Sequence, residues 1–538
     1  MTYTFRICHE AHVDEDKAKV TEQEPRATAA PPKEDAAQTA GRGGLVIVLA
    51  KGLFILYGFA QQIVLQHLLG QVGYGEASLV TASVGVVNNV VVAASIQGVS
   101  RTVAAAPEGA WPQLYRRALT YHAVIAFIVS GLFAAAAGPI SKTLNAEHVV
   151  TPMRLVALVV FLYGLYAPMV GALNGRKRFV DQGGLDIVYG AIRTVGIAGG
   201  AYLFMRMSKS GTLGLVTGFV ASAAVIVPLA VWRAGVGKSG GSEPRIGPYL
   251  GFLFPVIVAQ GCLNLLLRTD FFLLRYFAGA AARTANVEPS VADGLLGIYQ
   301  GVQLYAFLPY QLLMSITFIL FPMLSKAQAE GDKEFVKGFT RANVRLSFVF
   351  TGLICGTIAS ISTHVLRLAS PEAIWKNGGE PLRILAIGMG TLSVLGISSA
   401  VLTSLKKEVA AAGVTIAAVA AVAAGCTVAL VSAPLGEGML TRTALAASAG
   451  LFAAMILSAV LVRKAAGGFV PVLTAVRVPA ALAITVAVGS RMPWLGKALV
   501  IPQAAGMALV YILVLVVLRE VGKDDVGMLL RVAGRKKR

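Results

Sequence analysis

Four basic residues lie deep inside long apolar segments of the sequence, where a charged side chain is expensive. They are Lys51, Arg193, Arg268 and Arg275. A base in membrane hydrocarbon costs about 2.5–3.5 kcal/mol on insertion scales, so such residues normally face a hydrated cavity or an opposite charge. Fixed cations in a cavity favour an anionic ligand, and Lys or Arg facing phosphate oxygens is the natural chemistry. We therefore predict that these four residues form a positively charged site that binds an anionic substrate.

Each base also has a structural explanation. Arg275 can extend to the outer interface of a membrane and Lys51 to the inner one, because long basic side chains snorkel. The two deeper arginines can pair with Asp186 or Asp270, the carboxylates within the predicted spans. The same two carboxylates are candidates for proton or sodium coupling, with a structural ion pair as the alternative. On a continuous helix Asp270 would point away from the face of Arg268.

Polar side chains recur along four apolar segments at helical spacing. Residues seven or eleven apart return to nearly the same helix face, so each set forms a stripe. Stripes on the first two helices of each half imply that these helices face one hydrated cavity, although amides also simply join helices by hydrogen bonds. The predicted polar lining comprises Gln62, Gln66, Asn88, Asn264, Gln300, Gln303 and Gln311.

The composition is that of an integral membrane protein. The chain has 538 residues, of which 56% are hydrophobic and 14% charged, with a mean hydropathy of +0.71 and a formal charge of +20. Bases form short clusters between apolar stretches rather than one basic face, which argues against nucleic-acid binding. Four cysteines and six histidines are scattered without metal-ligand spacing, so we predict no metal or other cofactor.

Apolar stretches long enough to cross a membrane follow one another through almost the whole chain, and we predict about fourteen spans. Lys and Arg concentrate in the loops of one side, as in Arg176-Lys177-Arg178, which places both termini in the cytoplasm by the positive-inside rule. A short sequence similarity between residues 69–75 and 295–300 suggests two parallel halves.

The predicted organisation has six parts. They are a disordered cytoplasmic tail (1–43), an N-lobe of six spans (44–233), an inter-lobe loop (234–248), a C-lobe of six spans (249–463), two further spans (464–520) and a basic cytoplasmic tail (521–538). Within it, the seventh span is predicted at 249–277 and the eighth at 294–324.

Three segments resemble the multidrug/oligosaccharidyl-lipid/polysaccharide (MOP) exporter superfamily, in particular its Wzx-type polysaccharide flippases. They are Gly70–Gly75, Gly171–Arg176 and Gly297–Lys326, the last with Leu308-Pro309 and Phe321-Pro322-Met323. The resemblance implies an all-α membrane fold with two six-helix lobes in a V, as in MATE and MurJ-type proteins, plus two C-terminal helices. It also implies alternating access to a central cavity, which in the related lipid II flippases is cationic and receives a pyrophosphate.

We therefore expect a transporter that flips an undecaprenyl-pyrophosphate-linked oligosaccharide across the bacterial inner membrane for surface polysaccharide synthesis. Its partners would be the lipid-linked glycan, membrane lipid and a polysaccharide polymerase machinery. The alternatives are a lipid II flippase and a MATE-like drug/cation antiporter that uses Asp186 or Asp270. A membrane-embedded glycan polymerase or ligase normally offers a large outer loop, and the longest predicted outer loops, 278–293 and 364–381, are short.

Overall fold

The computed structural model describes residues 33–107, 109–238 and 246–522, with side chains over these ranges except 33–51, 246 and 315–322. The predicted tails therefore lie largely outside the described residues, as does the side chain of Lys51. Every regular element described is helical. The helices are α1 (Lys33–Ala104), α2 (Trp111–Thr143), α3 (Val150–Gly175), α4 (Phe179–Arg206), α5 (Gly211–Ala234), α6 (Ile246–Leu266), α7 (Thr269–Thr284), α8 (Ser290–Ala306), α9 (Leu308–Glu330), α10 (Lys333–Ser360), α11 (Ser362–Ala369), α12 (Glu372–Ser404), α13 (Glu408–Leu430), α14 (Gly438–Ala466), α15 (Val472–Gly489) and α16 (Val500–Val517).

Twelve of the described helices are long and apolar enough to cross a membrane. The chain is thus a multi-pass, all-helical membrane protein, as the composition predicts. One of the twelve, Gly52–Ala104, is 53 residues long, which far exceeds the roughly 20 residues that one crossing needs.

Helix α1 accommodates this length by folding back at Gly70. Its backbone there has φ 66° and ψ −179°, a conformation that glycine adopts without a Cβ penalty. The Tyr74 hydroxyl donates to Gln62 Oε1 at 2.8 Å. Twelve residues of straight helix would separate the two by about 18 Å. The arms 33–69 and 71–104 therefore lie side by side. They correspond to the two separate spans that the sequence predicts at about 45–69 and 76–106.

The predicted seventh and eighth spans are each broken in two. Helix α8 ends at Ala306 and α9 starts at Leu308. Pro309 has no N–H to donate to the Tyr305 carbonyl, so the helical hydrogen bonds are interrupted there. Helix α6 ends at Leu266, and Arg268 adopts φ −131° and ψ −3° before α7 begins. The prediction of one continuous helix over 249–277 is wrong, so a face assigned by helical spacing does not carry across Arg268.

Contacts between distant residues define the two ends of the helix bundle. At one end, which we term the Gly70 end, Thr212 donates to Glu76 at 3.0 Å and His148 lies 3.0 Å from Asp293. At the other, the Trp111 end, Tyr115 donates to the Gly235 carbonyl at 2.9 Å and Arg176 to that of Ala234 at 3.1 Å. Arg176 also stacks over the Trp111 ring at 4.6 Å.

Helices α1–α5 touch later helices at both ends. At the Gly70 end, a Cβ added to Gly75 or Gly297 would overlap the backbone of Asp293 or Gln71, so α1 and α8 pack backbone to backbone. At the Trp111 end, His122 Nε2 lies 2.6 Å from the Tyr249 hydroxyl on α6. The bundle is therefore held together on either side of its middle.

The last two helices pack on α10 rather than on the core of the bundle. Val478, Tyr511 and Leu515 form an apolar cluster there, and Tyr511 donates to the Val349 carbonyl at 3.2 Å. A buried carboxylate, Glu520, follows α16. It accepts from Arg345 at 2.9 Å, from Thr474 at 2.6 Å and from Arg477 at 3.5 Å.

Candidate functional site

A polar cavity of about 160 Å³ lies between the two arms of α1 and helices α3, α4 and α5. Amides and hydroxyls account for half of the residues in its wall, and Arg193 is the one base among the described residues that line it. Two tyrosines and a phenylalanine complete the polar and aromatic part of the wall. This part comprises Gln61, Gln62, Tyr74, Ser78, Thr81, Asn88, Asn89, Tyr163, Arg193 and Phe219.

Arg193 reaches this cavity from α4 between two aromatic rings. Its guanidinium carbon lies 5.3 Å from the ring centre of Phe54 and 5.8 Å from that of Phe219. Ring faces attract a cation and hold it in place without neutralising its charge. Arg193 is half-buried, so the charge remains open to the cavity. Asp186, on the same helix, is buried and does not line the cavity.

Some amide side chains of α1 have hydrogen-bond partners among the described residues, and others do not. Gln62 accepts from Tyr74, whereas the buried Oδ1 of Asn88 has no hydrogen-bond partner among the described residues. Gln66 is fully buried outside the cavity wall, and neither of its amide atoms has such a partner. Because a buried polar atom is normally bonded, Asn88 is available to a ligand in the cavity.

The polar wall continues towards α6. Asn89 donates to Asn264 Oδ1 at 2.8 Å, and Asn264 in turn donates to the Gln260 carbonyl. About one turn beyond Asn264, Arg268 donates to Gln300 at 3.0 Å and to Gln303 at 3.3 Å. The structure thus brings the predicted residues of α6 and α8 together around Arg268, and links Asn264 to the Arg193 cavity through Asn89.

Asp270 is bound by three donors. It accepts from the Tyr299 hydroxyl at 2.7 Å, from Gln303 Nε2 at 3.1 Å and from the Phe271 backbone N–H at 2.9 Å. Gln303 therefore connects Arg268 to Asp270, although spacing on a continuous helix would point these two residues apart. They can share Gln303 because the helix is interrupted before α7.

Arg275 and Gln311 lie apart from the cavity. Arg275 is fully buried at the Gly70 end, where its Nε lies 3.1 Å from Asp293 and its Nη2 donates to the Asn145 carbonyl at 3.0 Å. The break at Arg268 turns α7 away from the face that carries Asn264. Gln311 is exposed on α9, beyond the break that follows Ala306.

A partly buried cluster of ionisable residues at the Gly70 end was missed from the sequence. His148 Nε2 lies 3.0 Å from Asp293 and 3.9 Å from Glu76, and Asp293 also pairs with Arg275. The residues come from four distant parts of the chain, and Asp293 lies just outside the predicted eighth span. Spacing carried no signal for this cluster.

A bundle of membrane-crossing helices around a polar cavity is the architecture of a transporter. A family model described as Polysaccharide biosynthesis protein matches residues 64–370. The chain belongs to this family, which makes it a membrane transporter of polysaccharide biosynthesis. No curated protein matches it in sequence.

Solved structures share the fold over most of the chain. The lipid II flippase MurJ in an inward closed conformation has a TM-score of 0.70 at 12% identity, covering 88% of this chain and 99% of that one. An inward-facing MATE-family multidrug resistance transporter gives 0.63 at 13%, covering 77% and 94%. A MOP-superfamily transporter from Pyrococcus furiosus gives 0.59 at 13%, covering 80% and 95%. The resemblance to this superfamily is confirmed as a likeness of fold.

Proposed function

We propose that the protein flips an undecaprenyl-pyrophosphate-linked oligosaccharide from the inner to the outer leaflet of a bacterial inner membrane. The carrying observation is the cavity of Arg193, in which a cation that pairs with no carboxylate of the described residues lies among amides and hydroxyls. A guanidinium suits a pyrophosphate, and amides suit sugar hydroxyls. Membership of the polysaccharide family supports this class of substrate.

The proposed mechanism is alternating access between two halves. The chain would cross the membrane fourteen times, as six helices over 44–233, six over 249–463 and two over 464–520, with both termini cytoplasmic. The contact of Gly75 with Asp293 and Gly297 supports two parallel halves, because it joins the two segments that echo each other in sequence. Rocking about the 234–248 loop would expose the cavity to each side in turn, while the lipid tail stays in the bilayer.

Arg193 and Arg268 would bind the pyrophosphate in succession or together, one from each half. Arg268 is held by neutral amides rather than by a carboxylate contact, so its charge is also available to an anion. Lys51 is proposed as a third cation on the first arm of α1. Arg275, already paired with Asp293, would contribute least to binding.

The test is complementation of surface polysaccharide display in a strain that lacks the gene. Arg193→Gln and Arg193→Glu should reduce display at least tenfold, since each removes the cavity cation, while Arg193→Lys should retain part of it. Arg206→Gln is the matched control, because Arg206 lies on the same helix but is exposed. Wild-type display by Arg193→Glu at normal expression would refute the cavity assignment.

The likeness of fold to MurJ favours lipid II as a second candidate substrate. Both ligands carry a pyrophosphate, so the cavity chemistry does not separate them. Depletion does: loss of a lipid II flippase should cause lysis, whereas loss of the proposed flippase should remove a surface polysaccharide and leave the cell wall intact.

A further inference from the structure

The cluster at the Gly70 end places one histidine between two carboxylates. His148 Nε2 lies 3.0 Å from Asp293 Oδ2 and 3.9 Å from Glu76 Oε1. Asp293 is 1% exposed and its other oxygen lies 3.1 Å from Arg275, which is fully buried. Glu76 is fixed from behind by the hydroxyl of Thr212. The cluster thus brings two carboxylates, one guanidinium and one imidazole into contact.

These contacts cross from the first five helices to the later ones. Glu76 begins the second arm of α1 and His148 lies in the turn between α2 and α3, whereas Asp293 and Arg275 belong to α8 and α7. At the same place the backbones of the two groups of helices come too close to admit a Cβ, at Gly75 and Gly297. Opening this end would separate His148 from Asp293.

The charge balance of the cluster depends on a proton at His148. With a neutral imidazole, two carboxylates face one guanidinium; with an imidazolium, the four charges cancel. A second pair, Arg283 with Glu147 at 3.4 Å, adds no net charge. The charged or titratable groups around the imidazole are Glu76 of α1, Asp293 of α8, Arg275 and Arg283 of α7, and Glu147 of its own turn. An imidazolium that faces two carboxylates is favoured electrostatically over a neutral imidazole, so the cluster favours the balanced state.

A proton can reach this site. The His148 side chain is 36% exposed and lines a cavity open to solvent, together with Asn145, Arg283 and Pro289. At the Trp111 end, the contact between His122 and Tyr249 does not favour an added proton in this way. His122 is buried there between the hydroxyls of Ser95 and Tyr249, and neutral partners give an added charge no compensation.

We infer that His148 is a proton-dependent latch that holds the Gly70 end closed. It binds a proton more tightly while it faces two carboxylates than after the helices separate, so acid stabilises the closed end and alkali releases it. The inference rests on the proposed function only in taking this end as one mouth of an alternating-access transporter. It adds a control on that motion.

A divalent cation is the competing explanation for one histidine and two carboxylates whose ligand atoms lie within 4.8 Å of one another. Arg275 argues against it, since a metal ion on Asp293 would meet a buried guanidinium on the same carboxylate. His148 Nε2 and Asp293 Oδ2, which lie 3.0 Å apart, instead form an ion pair when the imidazole carries a proton.

The test measures the width of the Gly70 end by electron–electron resonance on the full chain in nanodiscs with EDTA. Nitroxides go on Lys209→Cys and Ser432→Cys after replacement of the natural cysteines. Both positions are exposed, and both turns lie at this end, since Thr212 meets Glu76 and Glu437 lines a groove with Gln71. Between pH 6 and pH 8 the open population of the wild type should rise roughly five- to tenfold.

Two variants and one control decide the origin of the shift. His148→Gln should lose the pH dependence, and His148→Arg should remain closed at both pH values. His67→Gln is the matched control, because His67 is exposed at the same end and contacts the carbonyl of its own helix, and it should behave as wild type. An unchanged pH shift in His148→Gln, or no shift in the wild type, overturns the latch.

Added zinc provides a further arm. Closure at pH 8 on addition of zinc to wild type, combined with no pH shift in EDTA, would replace the proton latch by a metal site. None of these measurements involves the substrate. If the latch fails but polysaccharide display still depends on Arg193, the proposed function stands. If the latch responds to pH but display does not depend on Arg193, only the proposed function is refuted.

Discussion

Gln303 orients two charged side chains at once. Its carbonyl oxygen accepts from Arg268 and its amide nitrogen donates to Asp270, which fixes the direction of the amide. Gln303→Leu would remove both bonds inside a fully buried site and leave each charge short of a partner. We expect a loss of about 1–2 kcal/mol in stability and a reduced rate of glycan display.

The measurement is thermal unfolding in detergent beside the complementation assay. Gln311→Leu serves as the control, because Gln311 is exposed on the next helix and should change neither quantity. Equal effects of the two substitutions would mean that Gln303 has no special role. Gln303→Glu is informative as well, since a carboxylate can accept from Arg268 but repels Asp270.

Burial alone does not identify a ligand-binding base. Arg275 is the most deeply buried of the described candidates, yet Asp293 and a backbone carbonyl engage it. Arg193 is only half-buried and has ring faces and a polar cavity around it. The sequence makes these residues look equivalent because it shows their apolar surroundings and not their partners.

Interruptions within helices decide which side chains meet, and they differ in how visible they are in the sequence. Gly70 and Leu308-Pro309 carry local signals, a residue tolerant of positive φ and a proline. The break at Arg268 has no such signal, and for this reason helical spacing cannot relate Asn264 and Arg268 to Arg275, which lies beyond the break. Hydropathy predicts where the membrane-crossing segments lie. The rotation of one half-helix relative to the next depends on packing.

Closure of the Gly70 end requires that helices α1 and α8 pack closely against each other. A Cβ on Gly297 would overlap the Gln71 carbonyl, so Gly297→Ala should push the helices apart. With the same pair of nitroxides we expect a longer distance at pH 6, where the wild type is closed.

Gly294 lies on the same helix and provides the control for this substitution. A Cβ there would come no closer than 3.5 Å to its nearest neighbour, the Gln71 amide, which is ordinary van der Waals contact. Gly294→Ala should therefore keep the wild-type distance. A closed end in Gly297→Ala would show that the backbone contact is not needed for closure.

At the scale of the whole molecule, contacts between residues far apart in the chain hold both ends of the bundle. Glu76, His148, Arg275 and Asp293 form one cluster although more than 200 positions separate the first from the last. No periodicity spans such separations, so the site at the Gly70 end was beyond sequence reasoning. The Arg193 cavity was partly accessible, because its polar stripes follow helical spacing within single segments.

The distribution of bases over the two ends predicts the orientation of the molecule. Turns at the Trp111 end carry Arg176-Lys177-Arg178, Lys406-Lys407 and Arg463-Lys464, and such loops remain in the cytoplasm. In spheroplasts, a membrane-impermeant maleimide should therefore label Lys209→Cys at the Gly70 end, and should label Lys407→Cys only after permeabilisation. Both positions are exposed, so a difference in labelling reports the side of the membrane and not burial. Labelling of Lys407→Cys alone in sealed spheroplasts would invert the topology, and with it the direction in which the proposed latch faces.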